Sequence, residues 1–441
     1  MHQLVCPAPG AASSLRPMAR PLPSRRRNPA VRASVLAALV HLSLPARLKA
    51  ENRVDYRYED YIEDDNRIRV RTHSVFAAQA LTSKVVAKGN FVYDGISGSS
   101  PNGGIPVPGS GQVPLQYLED IRRAGYVEAA ITTGRFITRP QISYSEESDY
   151  ESVGISLSES IEFNDKNTTL TVGLARNFDR VTGYWLSNRT DWRDKDTLDV
   201  LVGVTQLLGP KTYLTANISV GIADGYLTDP YKGVYFRFDY PGDDLNTDPG
   251  FPIPERRPDE RLKQVAFLGI THFVTPLKGS VDANYRFHND DWGIKAHTFT
   301  VAWNQKVGSR LTLSPLFRYH FQTSADFYAP SFIGSNNRID ANGVNIALQS
   351  DGSYLFEGDP GYPGDGTPFA VPAWPQHFSS DYRLSRLETF TAGVGIHWEV
   401  TDRISVDFAY KRYAMFALED RSYQSAFPQA NVYTVGMGFR W

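Results

Sequence analysis

In this chain the lengths of the connections between strand-like segments alternate with their order, and few folds accommodate that. From Arg53 onward, segments with a side-chain period of two recur: RVDYRYEDYI (53–62), RIRVRTHSVFAAQAL (67–81), KVVAKGNFVYD (84–94), GYVEAAITTG (125–134), ITRPQISYSE (137–146), SVGISLSESIEF (152–163), TTLTVGLARNF (168–178) and TLDVLVGVTQL (197–207). The second half adds KTYLTANISVGIA (211–223), RLKQVAFLGITHFV (261–274), SVDANYRFH (280–288), KAHTFTVAWNQKV (295–307), RLTLSPLFRYHFQTSA (310–325), RLETFTAGVGIHWE (386–399), RISVDFAYKRYAMF (403–416) and NVYTVGMGFRW (431–441). Every even connection is tight: 82–83, 135–136, 164–167, 208–210, 275–278, 308–309 and 401–402. Every long insertion, at 95–124, 179–196, 224–260 and 326–385, is an odd one. A soluble sandwich has no reason to sort loops by parity, whereas a membrane barrel does so by construction. The expected fold is all-β: a transmembrane antiparallel up-and-down β-barrel of about sixteen strands, with short periplasmic turns and long external loops.

The two ribbons of each segment differ in chemistry. Val54, Tyr56 and Tyr58, Leu198 to Val204, and Phe299, Val301 and Trp303 fall on an apolar ribbon in alternate positions. Arg53, Asp55, Arg57 and Glu59, then Arg67, Arg69, Arg71 and His73, then Asp282 and Arg286, Arg318, Asp407 and Lys411 fall on the polar one. Burying those charges unpaired in a dry core would cost several kcal/mol each, on the order of the penalties known for isolated ions. A wet lumen removes that cost. Arg53, Arg57, Arg67, Arg69 and Arg71, on two adjacent segments, are expected to form one basic wall, with acids such as Asp55, Glu59, Asp282 and Asp407 completing a charged lining. Such a lining either tunes a pore or simply solvates the interior. Trp303, Trp398 and Trp441 lie beside tight turns, where an interfacial belt places amphipathic rings, and Phe439 and Trp441 end the last apolar ribbon. Three features fit less well: Glu159 shares parity with Ile155, Leu157 and Ile161 unless a bulge intervenes near Ser158, segment 261–274 alternates imperfectly, and segment 137–146 contains Pro140.

The longest apolar stretch, VLAALVHLSL (35–44), is far short of the roughly 20 residues of a spanning helix. It follows Arg25, Arg26, Arg27 and Arg32 and precedes LPARLKA, the charged, apolar, small-residue order of a secretory signal. Residues 1–50 are therefore expected to be removed, with Met18 an alternative start, leaving 51–441 as the barrel. That leader holds eight of the 46 Lys and Arg and none of the 48 Asp and Glu, so the mature balance is 38 against 48, or −10. An acidic exported body disfavours nucleic acid as a partner. The single cysteine, Cys6, precedes the apolar stretch, so neither disulfides nor thiolate chemistry is expected.

Two loop stretches, YDGISGSSP (93–101) and GYLTDPYK (225–232), carry a resemblance. They resemble motifs of the domain of unknown function 3570 family, which comprises uncharacterised bacterial proteins expected in the outer membrane. The resemblance implies fold and location and carries no catalytic residue. Within these motifs Gly95, Gly98 and Gly225 suit unusual backbone angles, and Pro101 and Pro230 stiffen the exits. Asp94, Asp229, Tyr231 and Lys232 serve either as structural parts of the loop base or as ligand contacts.

No cofactor or metal is expected. The acid-rich stretches 191–199, 239–250 and 358–366 lack calcium-loop spacing, and His288, His297, His320, His377 and His397 lack zinc spacing. No GxSxG is present, and Ser314 and His320 are too far apart on one strand to touch, so an enzyme is not expected. The expected partners are outer-membrane lipid, the barrel-assembly machinery and small polar solutes, with passive passage through a lumen narrowed by loop 326–385 as the first reading. A non-conducting surface scaffold or assembly partner, whose external loops bind a ligand or protein, is the second. Oligomeric state is not readable.

Overall fold

A computed structural model of the chain describes residues 52–441 except 107–108, 186–187, 190, 239–250, 335–336, 340–344, 349–353, 357–374 and 420–421. The expected leader, residues 1–50, and the acid-rich stretches 239–250 and 358–366 lie outside the described residues.

Sixteen strands form one closed antiparallel barrel. They are β1 (Arg53–Glu63), β2 (Ile68–Ala80), β3 (Val85–Pro101), β4 (Leu115–Thr133), β5 (Phe136–Glu146), β6 (Tyr150–Phe163), β7 (Thr168–Val181) and β8 (Arg193–Gly209). The ring continues through β9 (Thr212–Gly225), β10 (Glu260–Val274), β11 (Gly279–Asp290), β12 (Lys295–Val307), β13 (Leu311–Gln322), β14 (Leu387–Glu399), β15 (Ile404–Ala417) and β16 (Gln429–Arg440). Each strand bonds to its neighbours in the chain, and β1 closes on β16 from Arg53↔Arg440 to Glu63↔Ala430. The expected count and parity hold. One tight turn is Asn164, Asp165 and Lys166, all at positive φ, a conformation Asn and Asp tolerate better than most residues.

The strands run further than the loop composition suggested. β3 and β4 pair out to Pro101↔Leu115, so the insertion expected at 95–124 shrinks to 102–114. Gly and Ser in YDGISGSSP read as loop by propensity, but the cross-strand ladder overrides propensity. Pro140 and Pro315 sit in β5 and β13. In each case the ladder on one side skips rungs while the other side is unbroken, as a residue without an N–H requires.

Exposure separates the faces. Val54, Val75, Phe91, Ile155, Leu174, Val202, Ile218, Leu268, Phe299, Phe317, Val394 and Met437 are exposed, and cross-strand pairing puts them on the convex side. On the concave side Ser143, Ser145, Ser152, Ser160, Thr171, Thr215, Thr298 and Thr389 are buried by crowding. β10 alternates in exposure although Val265 and Phe267 face inward, which explains its imperfect sequence pattern. The register between β5 and β6 is unbroken at Glu159, which pairs with Thr138 and Val172, so no bulge turns it inward. Aromatic rows flank the apolar band. At the turn end Phe439 stacks on Trp441 at 5.8 Å, and Trp303 and Trp398 face outward on β12 and β14. At the long-loop end Tyr56 meets His73 at 2.9 Å and Tyr285 meets His297 at 2.8 Å.

These faces set a stability test. Ile218→Arg, on the convex side, is expected to destabilise the barrel in lipid vesicles by about 2–4 kcal/mol, while Asn217→Arg on the concave side changes it far less. Urea unfolding of vesicle-inserted protein measures both.

Candidate functional site

The site is the polar lumen together with the loops that close over its long-loop mouth. Inward positions follow from register: Arg53, Asp55, Arg57 and Glu59 share the concave face of β1 with Phe76, Ser74 and Thr72 opposite. Asp282 and Arg286 on β11, Arg318 on β13, and Asp407 and Lys411 on β15 are also inward, next to Thr298, Thr300, Gly393 and Gly436. Arg53 pairs with Asp55 at 3.2 Å, Glu59 accepts from Thr434 at 3.0 Å, and Asp407 lies 2.7 Å from His397. Arg57, Arg286 and Arg318 are exposed on this concave face, and no ion pair is found for them among the described residues.

The basic wall expected from Arg53 to Arg71 does not exist. Arg69, Arg71 and His73 pair with Ile62, Asp60 and Tyr58, which share parity with the exposed Val54 and Tyr56, so all three face outward. Arg67 lies in the β1–β2 connection, buried, donating to the carbonyls of Ser425 and Ala426 at 3.0 Å each and resting 3.3 Å from Glu63. The reason is phase: above the apolar band both faces of a strand are polar, so polarity there does not report which way a side chain points. Val75, two residues past His73 on the same ribbon, carries the signal that places it.

The two motifs found in the sequence meet each other. Lys232 is buried, and its ammonium donates to the hydroxyl of Ser100 at 3.2 Å and to the carbonyl of Pro101. Alongside, the Gly233 amide donates to the Asn102 carbonyl at 2.7 Å. Asp94, buried on the concave face of β3, accepts from Arg122 at 2.6 Å. Tyr231 donates to Asp149, and Pro230 packs against Gly183. Gly98 and Gly225 both have positive φ, at 128° and 102°, with a neighbouring carbonyl oxygen where a Cβ would sit. Gly95 differs from expectation: it sits within β3 facing open space.

Under this clasp lies an ion cluster the sequence reading missed. Arg257 donates to Asp381 at 2.8 Å and lies 2.6 Å from Glu255; Arg383 bridges Asp381 and Asp229, each at 2.5 Å. Glu255 and Asp381 are almost fully buried. Burial pushes the Asp381 carboxyl up, but Arg383 and Arg257 outweigh it and hold it well below the usual carboxylate range. Burial raises Glu255 to about 7, with Arg257 offsetting only part of the penalty. Burial also lowers the Lys232 ammonium, and Asp381 and Asp229 counter it incompletely. Asp229 and Lys232 belong to the motif GYLTDPYK, but Glu255, Arg257, Asp381 and Arg383 lie in the loop-like polar stretches ERRPDE (255–260) and SSDYRLSR (379–386), without a period that could have marked them.

The contacts span the mouth. In a ring of sixteen strands the β3–β4 and β9–β10 hairpins stand six strands apart, with eight being diametric, so the bond from Gly233 to Asn102 carries residues 226–238 across the opening. The far flank of the β9–β10 connection is tied to the β13–β14 connection through a two-way backbone bridge between Arg256 and Phe378, at 2.7 and 2.9 Å. Residues 226–238 make this crossing, whereas much of the constriction expected from 326–385 lies outside the described residues. Beside the clasp, Asp120, Glu147 and Asp149 bring carboxylate oxygens within 4.8 Å of one another. Ser148 donates to Asp120 at 2.8 Å and Tyr231 to Asp149, so two of the three already have donors. Burial, then Asp149, raises Glu147 to about 7.

Residues 28–141 and 110–433 match the family described as Protein of unknown function (DUF3570). The chain belongs to that family. No curated protein matches it. Solved structures similar to this DUF3570 member include CdiB from Acinetobacter baumannii, at 6% identity and a TM-score of 0.47, covering 88% of this chain and 60% of that one. A bacterial polysaccharide outer membrane secretin matches at 9% identity and a TM-score of 0.41, covering 89% and 99%. A loop L8 deletion mutant of OmpT, an outer membrane protein of Vibrio cholerae, matches at 9% and 0.32, covering 88% and 98%. The chain spans about 60% of the length of the first of these. At these scores the likenesses support no functional argument, and the barrel rests on its own closed ladder.

Two outcomes test the cap. Lys232→Met is expected to speed hydrogen exchange at the Gly233 amide at least tenfold while amides in mid-strand keep their protection, because a hydrogen bond to a charged group contributes about 1.5–3 kcal/mol. Glu147 supplies a pH test. Its folded pKa, about 7, exceeds its ordinary value of 4.5, so the folded turn holds the proton longer and loses stability as pH rises between those values. Exchange at residues 147–149, corrected for intrinsic rate, should accelerate from pH 5 to 7.5, and Glu147→Gln should flatten that dependence.

Proposed function

We propose that this DUF3570 member is a bacterial outer-membrane barrel that passes small polar solutes passively along a wet lumen, entry being restricted by the cap across its external mouth. The observation that carries the reading is the set Arg57, Arg286 and Arg318, exposed on the concave face with no ion pair among the described residues. An unpaired guanidinium in a dry interior would cost several kcal/mol, roughly the penalty of a buried ion, so these groups need solvent around them. A ring of sixteen strands is wide enough to hold it.

The membrane setting is supported by the convex apolar band and its two aromatic rows. Among the described residues no helix is long and apolar enough to cross a membrane, and a barrel crosses with strands instead. In this reading residues 1–50 act as an export signal, the surrounding lipid and the barrel-assembly machinery are the partners, and no chemical step is catalysed.

The crossing made by residues 226–238 favours a second reading, a non-conducting scaffold whose external loops bind a ligand or protein. Conductance of purified protein in a planar bilayer separates the two. Restricted passage predicts discrete current steps in the wild type and longer or larger ones in Lys232→Met. Silence in both, with the barrel correctly folded, would overturn passive passage and favour the scaffold.

A further inference from the structure

The arginines that turned out to face outward lie above the aromatic row, and they are not all neutralised. Along the convex face of β2 and β3 the order toward the long loops is Val75 with Phe91, His73 with Tyr93, Arg71 with Gly95, and Arg69 with Ser97. His73 sits between Tyr58 and Tyr93, with centroids 5.1 and 6.4 Å away, which marks where the apolar band ends. Arg71 is therefore one step beyond the hydrocarbon boundary. Arg123, on the convex face of β4, stands opposite Tyr93, one same-face rung from Ile121, which shares the rung of Gly95 and Arg71.

Arg69 is satisfied by Asp60, through bonds of 2.9 and 2.5 Å. Arg71 and Arg123 are exposed, and neither makes a hydrogen bond or ion pair among the described residues. Gly95, opposite Arg71, leaves open space where a side chain would stand. The result is a recess of about 430 Å³ whose charged and polar lining is Arg69, Arg71, Tyr93, Ser97, Glu119 and Asp120, with Arg123 just outside it, two positions along β4 from the lining Ile121. Arg71 from β2, with Asp60 opposite it, and Arg123 from β4 flank β3 at the inner end, Ser97 and Glu119 lie further out, and Asp120 is already held by Ser148.

We propose that this recess binds the phosphorylated headgroup of a glycolipid in the outer leaflet, with Arg71 and Arg123 taking phosphate oxygens and Tyr93, Ser97 and Glu119 meeting sugar hydroxyls. The proposal rests on the outer-membrane reading above. At the inner end, next to the aromatic row, the exposed Arg71 and Arg123 guanidiniums select an anionic group, while Glu119 further out suits hydroxyl donors rather than a second anion. Height selects a glycolipid over a phospholipid: β3 continues eight residues past Tyr93 to Pro101, about 26 Å of strand before tilt, so a polar wall stands beside whatever rises above the boundary. The compact headgroup of a phospholipid would leave most of that wall in water.

Native mass spectrometry of the full barrel in detergent, titrated with lipid A, phosphatidylglycerol or inorganic phosphate, tests it. The wild type is expected to retain lipid A, and Arg71→Gln with Arg123→Gln to weaken retention about thirtyfold, the effect of losing two surface arginines at an anionic headgroup. Arg71→Lys with Arg123→Lys should recover part of the loss, and unchanged heat-resistant mobility on gels shows that each variant is folded. Equal retention by wild type and the glutamine variant, phosphatidylglycerol held as tightly as lipid A, or displacement by inorganic phosphate would each overturn the proposal. Failure of the outer-membrane reading itself would show separately, as wild-type protein missing from the outer-membrane fraction of cells.

Discussion

The ladder between β1 and β16 is the interaction on which the rest of the structure depends. An open sheet of this size would leave two rows of unpaired backbone groups, which neither lipid nor a dry core tolerates. Pairing from Arg53↔Arg440 to Glu63↔Ala430 removes both edges at once. Closure also gives every strand an inside and an outside. Because side chains alternate, one ribbon of each strand must then be concave and the other convex, and the Ser and Thr columns of β5 to β7 and the exposed Val and Ile of β8 and β9 follow from that.

At the turn end little else is needed, since seven short links hold consecutive strands in register. At the other end the strands outrun the apolar band and the long connections meet over the opening. There the organising force changes from apolar contact to buried charge. Lys232 holds the β3–β4 hairpin to the segment after β9, and Asp381 draws Arg257 and Arg383 into one cluster with Asp229 and Glu255. Such a cluster adds less to net stability than its short contacts suggest, because desolvation opposes the attraction. It does specify geometry, since removing any member strands the others.

The same contrast explains which residues could be read in advance. The strand count, the parity of the connections and the convex positions of Trp303, Trp398, Phe439 and Trp441 were legible, because lipid imposes a strict apolar requirement on one ribbon. The inward placement of Arg57, Asp282, Arg286, Arg318, Asp407 and Lys411 was legible for the complementary reason. Arg69, Arg71 and His73 were misplaced because they stand beyond the lipid, where polarity carries no directional information. The extension of β3 through Gly95 and Gly98 was hidden by residues that resemble loop and pair as strand.

By itself, then, the sequence determined that the chain is a ring of alternating strands with long connections at one end, since a side-chain period of two and a lipid boundary both leave a mark on residue order. Tertiary structure alone decided that YDGISGSSP and GYLTDPYK clasp one another and that residues 226–238 cross the mouth. Those outcomes depend on contacts between residues more than a hundred positions apart, such as Lys232 with Pro101 and Arg383 with Asp229, and no local period encodes such a distance.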